Sequence, residues 1–193
     1  MSKLSKMSKR ILSGCLALCF IAMLSVTTIY ASMAVYGSEK VGYVVSTKQL
    51  RKKTNTYDDS ALNKKYRSYM TYGAKVWKDC GVLTLKRNKS SVNKIKTYSD
   101  IESTINANAK CWVWGDPANG KIVKFQISFN TGLMNGRVEL KNKVTAAHEI
   151  GHSLGLLDLH ESRNSDKLMY GSRGTATKPT AADIKGAKYA TRK

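Results

Sequence analysis

All three histidines of the chain fall between positions 148 and 160, in the run His148-Glu149-Ile150-Gly151-His152-Ser153-Leu154-Gly155-Leu156-Leu157-Asp158-Leu159-His160. Residues four apart share a helix face, so His148 and His152 present ring nitrogens to one point. Glu149 follows the first histidine and leans over that point without being needed as a ligand. Two imidazoles one turn apart, with a carboxylate beside the first, have the spacing of a zinc site whose glutamate serves as general base. A bare match of this kind also describes two partly buried histidines satisfied by backbone. Here the surroundings weaken that reading: Val144, Ala147, Gly151 and Leu154 set small and apolar residues at helical spacing, as a core-packed helix requires. Asn142 is the expected N-cap of a helix over 143–154. Gly155 is the expected stop, because glycine adopts the left-handed conformation that reverses the chain.

The third ligand is open between two residues. Asp158 and His160 both lie within reach of a metal at the helix end, at about 3.3 Å of chain per residue. Imidazole is the commoner zinc ligand, which favours His160.

His148, Glu149, His152 and Gly155 match H-E-x-x-H-x-x-G-x-x position by position, and here the chain resembles the metzincin metalloproteases. The family's third ligand, three residues after the glycine, falls on Asp158. Most metzincins carry histidine there; the snapalysin-like proteases, a small secreted bacterial group, carry aspartate, and Gly155-Leu156-Leu157-Asp158 resembles their version. Lys167-Leu168-Met169-Tyr170-Gly171 looks like the methionine turn of matrixins, with Met169 beneath the metal. The segment from Pro179 through Asp183, Ile184 and Gly186 resembles the start of the matrixin C-terminal helix, and Thr180 with Asp183 is a capping pair in its own right.

The resemblance implies an α+β catalytic domain of metzincin type: a twisted, mostly parallel sheet with an antiparallel edge strand, a long first helix, an active-site helix and a C-terminal helix. It implies one catalytic Zn2+ held by His148, His152 and Asp158, with Glu149 as the catalytic base. It also implies an edge strand above the cleft that binds extended substrate through backbone hydrogen bonds. The implied activity is that of a secreted zinc endopeptidase acting on protein or peptide. The alternative is a non-catalytic basic zinc protein that adheres to anionic cell-wall or host surfaces, with His160 closing a four-ligand site.

The elements that must position these residues are visible in the patterning. Leu62, Tyr66, Tyr69, Met70, Gly73, Val76 and Trp77 recur at three- and four-residue intervals and predict an amphipathic helix over 60–79. Residues 82–87, 95–98 and 111–114 read as strands, with Trp112 and Trp114 on one side and packing expected for both. A turn at 116–120 precedes the clearest alternation in the chain: Val123, Phe125, Ile127 and Phe129 against Lys124, Gln126, Ser128 and Asn130. This run, or 111–114, is the candidate substrate edge. Asp116 offers a weak calcium site with neighbouring carbonyls. Residues 180–190 form the last helix.

Lys3, Lys6, Lys9 and Arg10 precede an uncharged, largely apolar run over 11–31, the pattern of a secretory signal peptide over 1–34. The rival reading is an N-terminal membrane anchor. Residues 35–57 then read as a short leader or first strand, with 41–45 extended, and 58–193 as a single metallopeptidase domain. Cys15 and Cys19 leave with the signal, so Cys80 and Cys111 remain, and an even count in an exported chain suggests one disulfide. The net charge of +20 falls by only four when the basic leader is removed. Such a field draws the chain to anionic surfaces. The basic residues are scattered rather than gathered in a recognition motif, which argues against dedicated nucleic-acid binding and for nonspecific attraction only; the chain is expected to be a monomer.

Overall fold

A computed structural model describes residues 34–102 and 107–192. The expected signal peptide lies outside the described residues. No helix among those residues is long and apolar enough to cross a membrane. The order is β1 (Ala34–Ser38), β2 (Tyr43–Ser46), β3 (Thr54–Tyr57), α1 (Lys64–Asp79), β4 (Thr84–Arg87), β5 (Lys94–Tyr98), β6 (Ala109–Gly115), β7 (Ile122–Asn130), a short α2 (Thr131–Met134), α3 (Glu139–Leu154) and α4 (Ala181–Ala190).

The strands do not build the single twisted, mostly parallel sheet expected of a metzincin-type domain. They form three small sheets: β1–β2, a parallel β3–β4 pair, and a three-stranded sheet of order β5-β7-β6. In the last, β5 runs parallel and β6 antiparallel to β7. The β3–β4 pair meets β5 only through an isolated bridge, Asp58 to Lys94. A turn intervenes there: Asn88 N–H donates to the Tyr57 carbonyl and Ser91 N–H to Asn88.

Helix α1 begins four residues later than its periodicity suggests. Leu62 N–H closes a turn on the Asp59 carbonyl, and Asn63 Oδ1 then caps the helix by accepting from Tyr66 N–H at 3.1 Å. Its buried face carries Tyr66, Tyr69, Met70, Gly73 and Trp77 and lies against α3. A Cβ at Gly73 would meet Ala147 N at 2.9 Å and the Ala146 carbonyl carbon at 3.0 Å, so glycine permits the close helix crossing. One turn on, Trp77 Nε1–H donates to the Ala147 carbonyl at 2.8 Å. Together they fix the backbone just before His148.

Strand β7 is central and its alternation is broken. Phe125, Ile127 and Phe129 are buried, but Val123 is exposed and Ile122 takes the inner place. The register shifts between Trp114 and Gly115, which pair with Lys124 and Ile122. The extra residue turns Val123 outward, as a bulge does. By the strand order, β6 is an edge of this sheet. Trp112 and Trp114 on its outer face are 44% and 43% exposed, contrary to the expectation that they pack inward.

Candidate metal centre

Helix α3 starts at Glu139, preceded by Val138, so Asn142 is not the cap. Asn142 is buried inside the helix, where its Nδ2 donates to the Met134 carbonyl at 2.7 Å and ties α3 to α2. Glu139 in the first turn suits the positive end of the helix dipole. Ala146, Ala147, Ile150 and Leu154 are fully buried, which turns the His148, Glu149 and His152 side toward a groove of about 1210 Å³.

The two imidazole rings stand 4.7 Å apart at 85°. His148 Nδ1 donates to the Leu168 carbonyl and His152 Nδ1 to the Leu156 carbonyl, each at 2.8 Å. A carbonyl only accepts, so each Nδ1 carries the hydrogen and each neutral ring keeps a lone pair on Nε2. Asp158 Oδ1 lies 3.0 Å from His148 Nε2 and 3.5 Å from His152 Nε2. One donor atom from each of the three residues falls within a 4.8 Å span. Atoms converging this closely need a proton or a metal cation between them.

Asp158 reaches this point because of Gly155. The glycine has φ +107°, and a Cβ there would strike the Lys48 carbonyl oxygen. Beyond it, Ser46 N–H donates to the Gly155 carbonyl at 2.8 Å and Leu157 N–H to Val44 at 2.9 Å, so the chain runs back antiparallel to β2. His160 is elsewhere: it is exposed, and its backbone N–H donates to Glu39 Oε1 at 2.6 Å. Of the two third-ligand candidates, only Asp158 joins the histidines.

Met169 sits beneath. It is buried, and a Cβ at Gly151 would collide with its Sδ, so glycine between the two histidines seats the methionine under the helix. Leu159 N–H donates to the Met169 carbonyl at 2.8 Å and Gly171 N–H to Leu159 at 2.9 Å, locking the methionine turn to the Asp158 segment. Asp183 holds the turn from below. Its Oδ2 accepts from Leu168 N–H at 3.0 Å and its Oδ1 from Met169 N–H at 3.1 Å, while Thr180 N–H and Oγ1–H complete the α4 capping box. The Leu168 peptide thus links Asp183 to His148.

Glu149 is 6% exposed, and its Oε2, like Asp158 Oδ1, is buried without a hydrogen-bond partner. Burial raises the Glu149 pKa, and the Asp158 charge adds to this against the pull of the two histidines. Burial alone would lower the His152 pKa, but its contact with Asp158 and the Glu149 charge push it up to about 9. Burial likewise opposes ionisation of Asp158, and the two histidines outweigh it, holding that carboxyl well below its ordinary range. The donor set suits a divalent ion such as zinc: two imidazole nitrogens, a carboxylate oxygen, and backbone carbonyls fixing both tautomers.

The expected Cys80–Cys111 disulfide is absent; both thiols are free. Cys80 ends α1 among Asp79, Lys178, Asp183 and Lys188, whereas Cys111 on β6 is raised by burial and then by Glu149. Two thiols in such different surroundings do not bridge. Asp116 does not gather ligands either; its carboxylate accepts from Ala118 N–H and Asn119 Nδ2–H, closing its own turn. His148, His152 and Asp158 are the one metal-competent cluster of His, Cys, Asp and Glu among the described residues.

No family model matches the chain, and no curated protein matches it. Among solved structures, the fold is similar to a chain of the GM1-bound form of the ECX AB5 holotoxin. The TM-score is 0.56 with 14% identity, covering 82% of this chain and 92% of that one. The likeness is one of fold. With the three small sheets, it corrects the fold class expected from the motifs: the architecture is not the metzincin-type domain on one long, mostly parallel sheet.

Sequence reasoning missed several residues that hold the centre. The Leu156 and Leu168 carbonyls are invisible to side-chain motifs. Asp183 was legible only as a cap. Glu39 was read as leader, yet its carboxylate also accepts from Asn164 Nδ2–H at 2.6 Å and pins the loop after Asp158.

Proposed function

We propose that the chain is a secreted zinc-dependent endopeptidase whose metal is held by His148, His152 and Asp158 and whose general base is Glu149. One observation carries the reading: two histidine Nε2 atoms and a buried, unpartnered carboxylate oxygen converge beside a second buried, unpartnered carboxylate. When bound, the ion supplies Lewis acidity, which acidifies water and polarises a carbonyl.

Glu149 supplies proton transfer. Its raised pKa brings a carboxylate closer to the pH at which it exchanges protons well. Oε2 has no internal partner to compete for the proton taken from the attacking water, and the same oxygen returns that proton to the leaving amine. Strand β6 supports binding of an extended chain, since it is the open edge of its sheet and Ala109, Lys110, Cys111, Trp112 and Val113 line the groove. Peptide as the substrate rests on the metzincin-like motifs and this open edge together. Export rests on the basic, then apolar, N-terminal sequence. The non-catalytic alternative needs a closed site, and His160, its fourth ligand, is exposed and outside the three-residue cluster.

Casein hydrolysis tests the proposal. The mature protein should cleave casein and lose that activity to a zinc chelator. Glu149→Ala should retain zinc and its fold while losing at least the ~10²–10⁴ in rate that general-base help supplies. Undiminished cleavage by that variant would remove Glu149 from its role.

A further inference from the structure

Arg137 lies in the segment leading into α3 and lines the same groove as His148 and Glu149. It is half-buried. Its Nη1–H donates to Thr145 Oγ1 at 3.2 Å, and Thr145 precedes His148 and Glu149 by one helical turn. Thr145 donates its own hydroxyl hydrogen to the Lys141 carbonyl at 3.0 Å, so its oxygen is oriented to receive the guanidinium. Among the described residues, which include all 13 acidic side chains of the chain, no carboxylate pairs with Arg137. Arg87 and Lys94, by contrast, meet Asp59 and Asp58. Lys110 and Lys141 line the groove with Arg137, and neither forms an ion pair. Among the described residues, the only carboxylates lining the groove are Glu149 and Asp158, and both belong to the candidate metal centre.

Removing a guanidinium from water without a counter-charge is costly, and the planar fork of arginine matches a carboxylate with two parallel hydrogen bonds. We propose that Arg137 is a specificity residue that receives a substrate carboxylate, so the groove selects peptides with an acidic group near the bond to be cut. This rests on the endopeptidase reading for its substrate class. The carboxylate has two chemical sources, an Asp or Glu side chain or the free C-terminus of a short peptide.

Binding and cleavage are measured with peptides identical except for Glu, Gln or Lys at one position, each with a free or amidated C-terminus. Cleavage uses the mature protein and binding uses its zinc-loaded Glu149→Gln variant. The Glu peptide should bind and be cleaved roughly tenfold better than its Gln isostere, because a charged partner is lost in the latter. Arg137→Gln should erase that ratio while zinc content and melting temperature stay unchanged, and Arg137→Lys should keep part of it. A preference for Glu over Gln that persists in amidated peptides identifies the side chain as the source; a preference for free over amidated ends, whichever residue is present, identifies the C-terminus. Equal handling of Glu and Gln together with equal handling of free and amidated ends, or a preference that survives Arg137→Gln, overturns the assignment. If Arg137→Gln does not fold, Arg137→Lys decides: an undiminished Glu preference overturns the role and a reduced one supports it. A chain that binds Glu peptides selectively but cleaves none keeps Arg137 as the carboxylate receptor and defeats the endopeptidase reading. Cleavage without charge preference does the reverse.

Discussion

Asp183 and Glu149 are both buried carboxylates, on α4 and α3, and the protein treats them in opposite ways. Asp183 is 0% exposed and takes four hydrogen bonds, from Leu168, Met169 and twice from Thr180. Glu149 and its neighbour Asp158 each keep an oxygen buried with no partner. A buried polar atom left unsatisfied costs free energy. The fold spends donors on one carboxylate and withholds them from two others, so the satisfied one is scaffold and the unsatisfied pair is open to a ligand. Asn142 Oδ1 is also unpartnered, but it lies inside α3 and its amide already bonds to Met134. The two orphans that matter share one groove.

Substitutions can break this contrast. Asp158→Ala removes one of the three candidate metal donors, and zinc affinity measured by competition with a chelating dye should fall by more than about 100-fold. His160→Ala should leave it unchanged. The opposite pattern would move the third ligand to His160. Asp183→Ala strands four donors and should lower stability in urea by about 2–4 kcal/mol. Because the Leu168 peptide joins Asp183 to His148, zinc should also bind roughly 10–100-fold more weakly. Unchanged zinc affinity in a folded Asp183→Ala chain would show that the methionine turn does not position the ligand. Gly151→Ala forces Met169 away from the helix and should cost about 1–3 kcal/mol, read as a lower midpoint in urea.

The contrast is sharpened by pH. In a chelator, the raised His152 pKa contributes stability that is complete below about 6.5 and is lost as pH rises through about 9. The depressed Asp158 pKa contributes above its ordinary 3.8 and is lost only in acid. The chelated chain should therefore melt lower at about pH 9.5 than at about pH 6 on account of this pair. Zinc affinity should rise over that interval, since protons and metal compete for the same nitrogens. A melting temperature that does not fall would mean that His152 and Asp158 do not pair in the metal-free protein.

The convergence of His148, His152 and Asp158 was legible because a helix forces residues four apart onto one face, and because glycine is the residue that tolerates the turn returning Asp158. The helices around the site followed from apolar spacing, with starts that moved where Asn63 capped α1 and Glu139 opened α3. Sheet organisation was not legible. Strand patterning marks which residues face inward, not which strands meet, and the bulge that exposes Val123 is decided by its pairing with β6. Cysteine count likewise says nothing of distance, and Cys80 and Cys111 are free. Arg137 escaped notice because a lone arginine in a basic chain carries no signal until its missing counter-charge is seen.

Metal stoichiometry of the purified mature protein tests the central claim most directly. Elemental analysis after zinc loading and extensive dialysis should give one zinc per chain, and none in His148→Ala. A wild-type chain that remains metal-free under the same conditions would contradict the account.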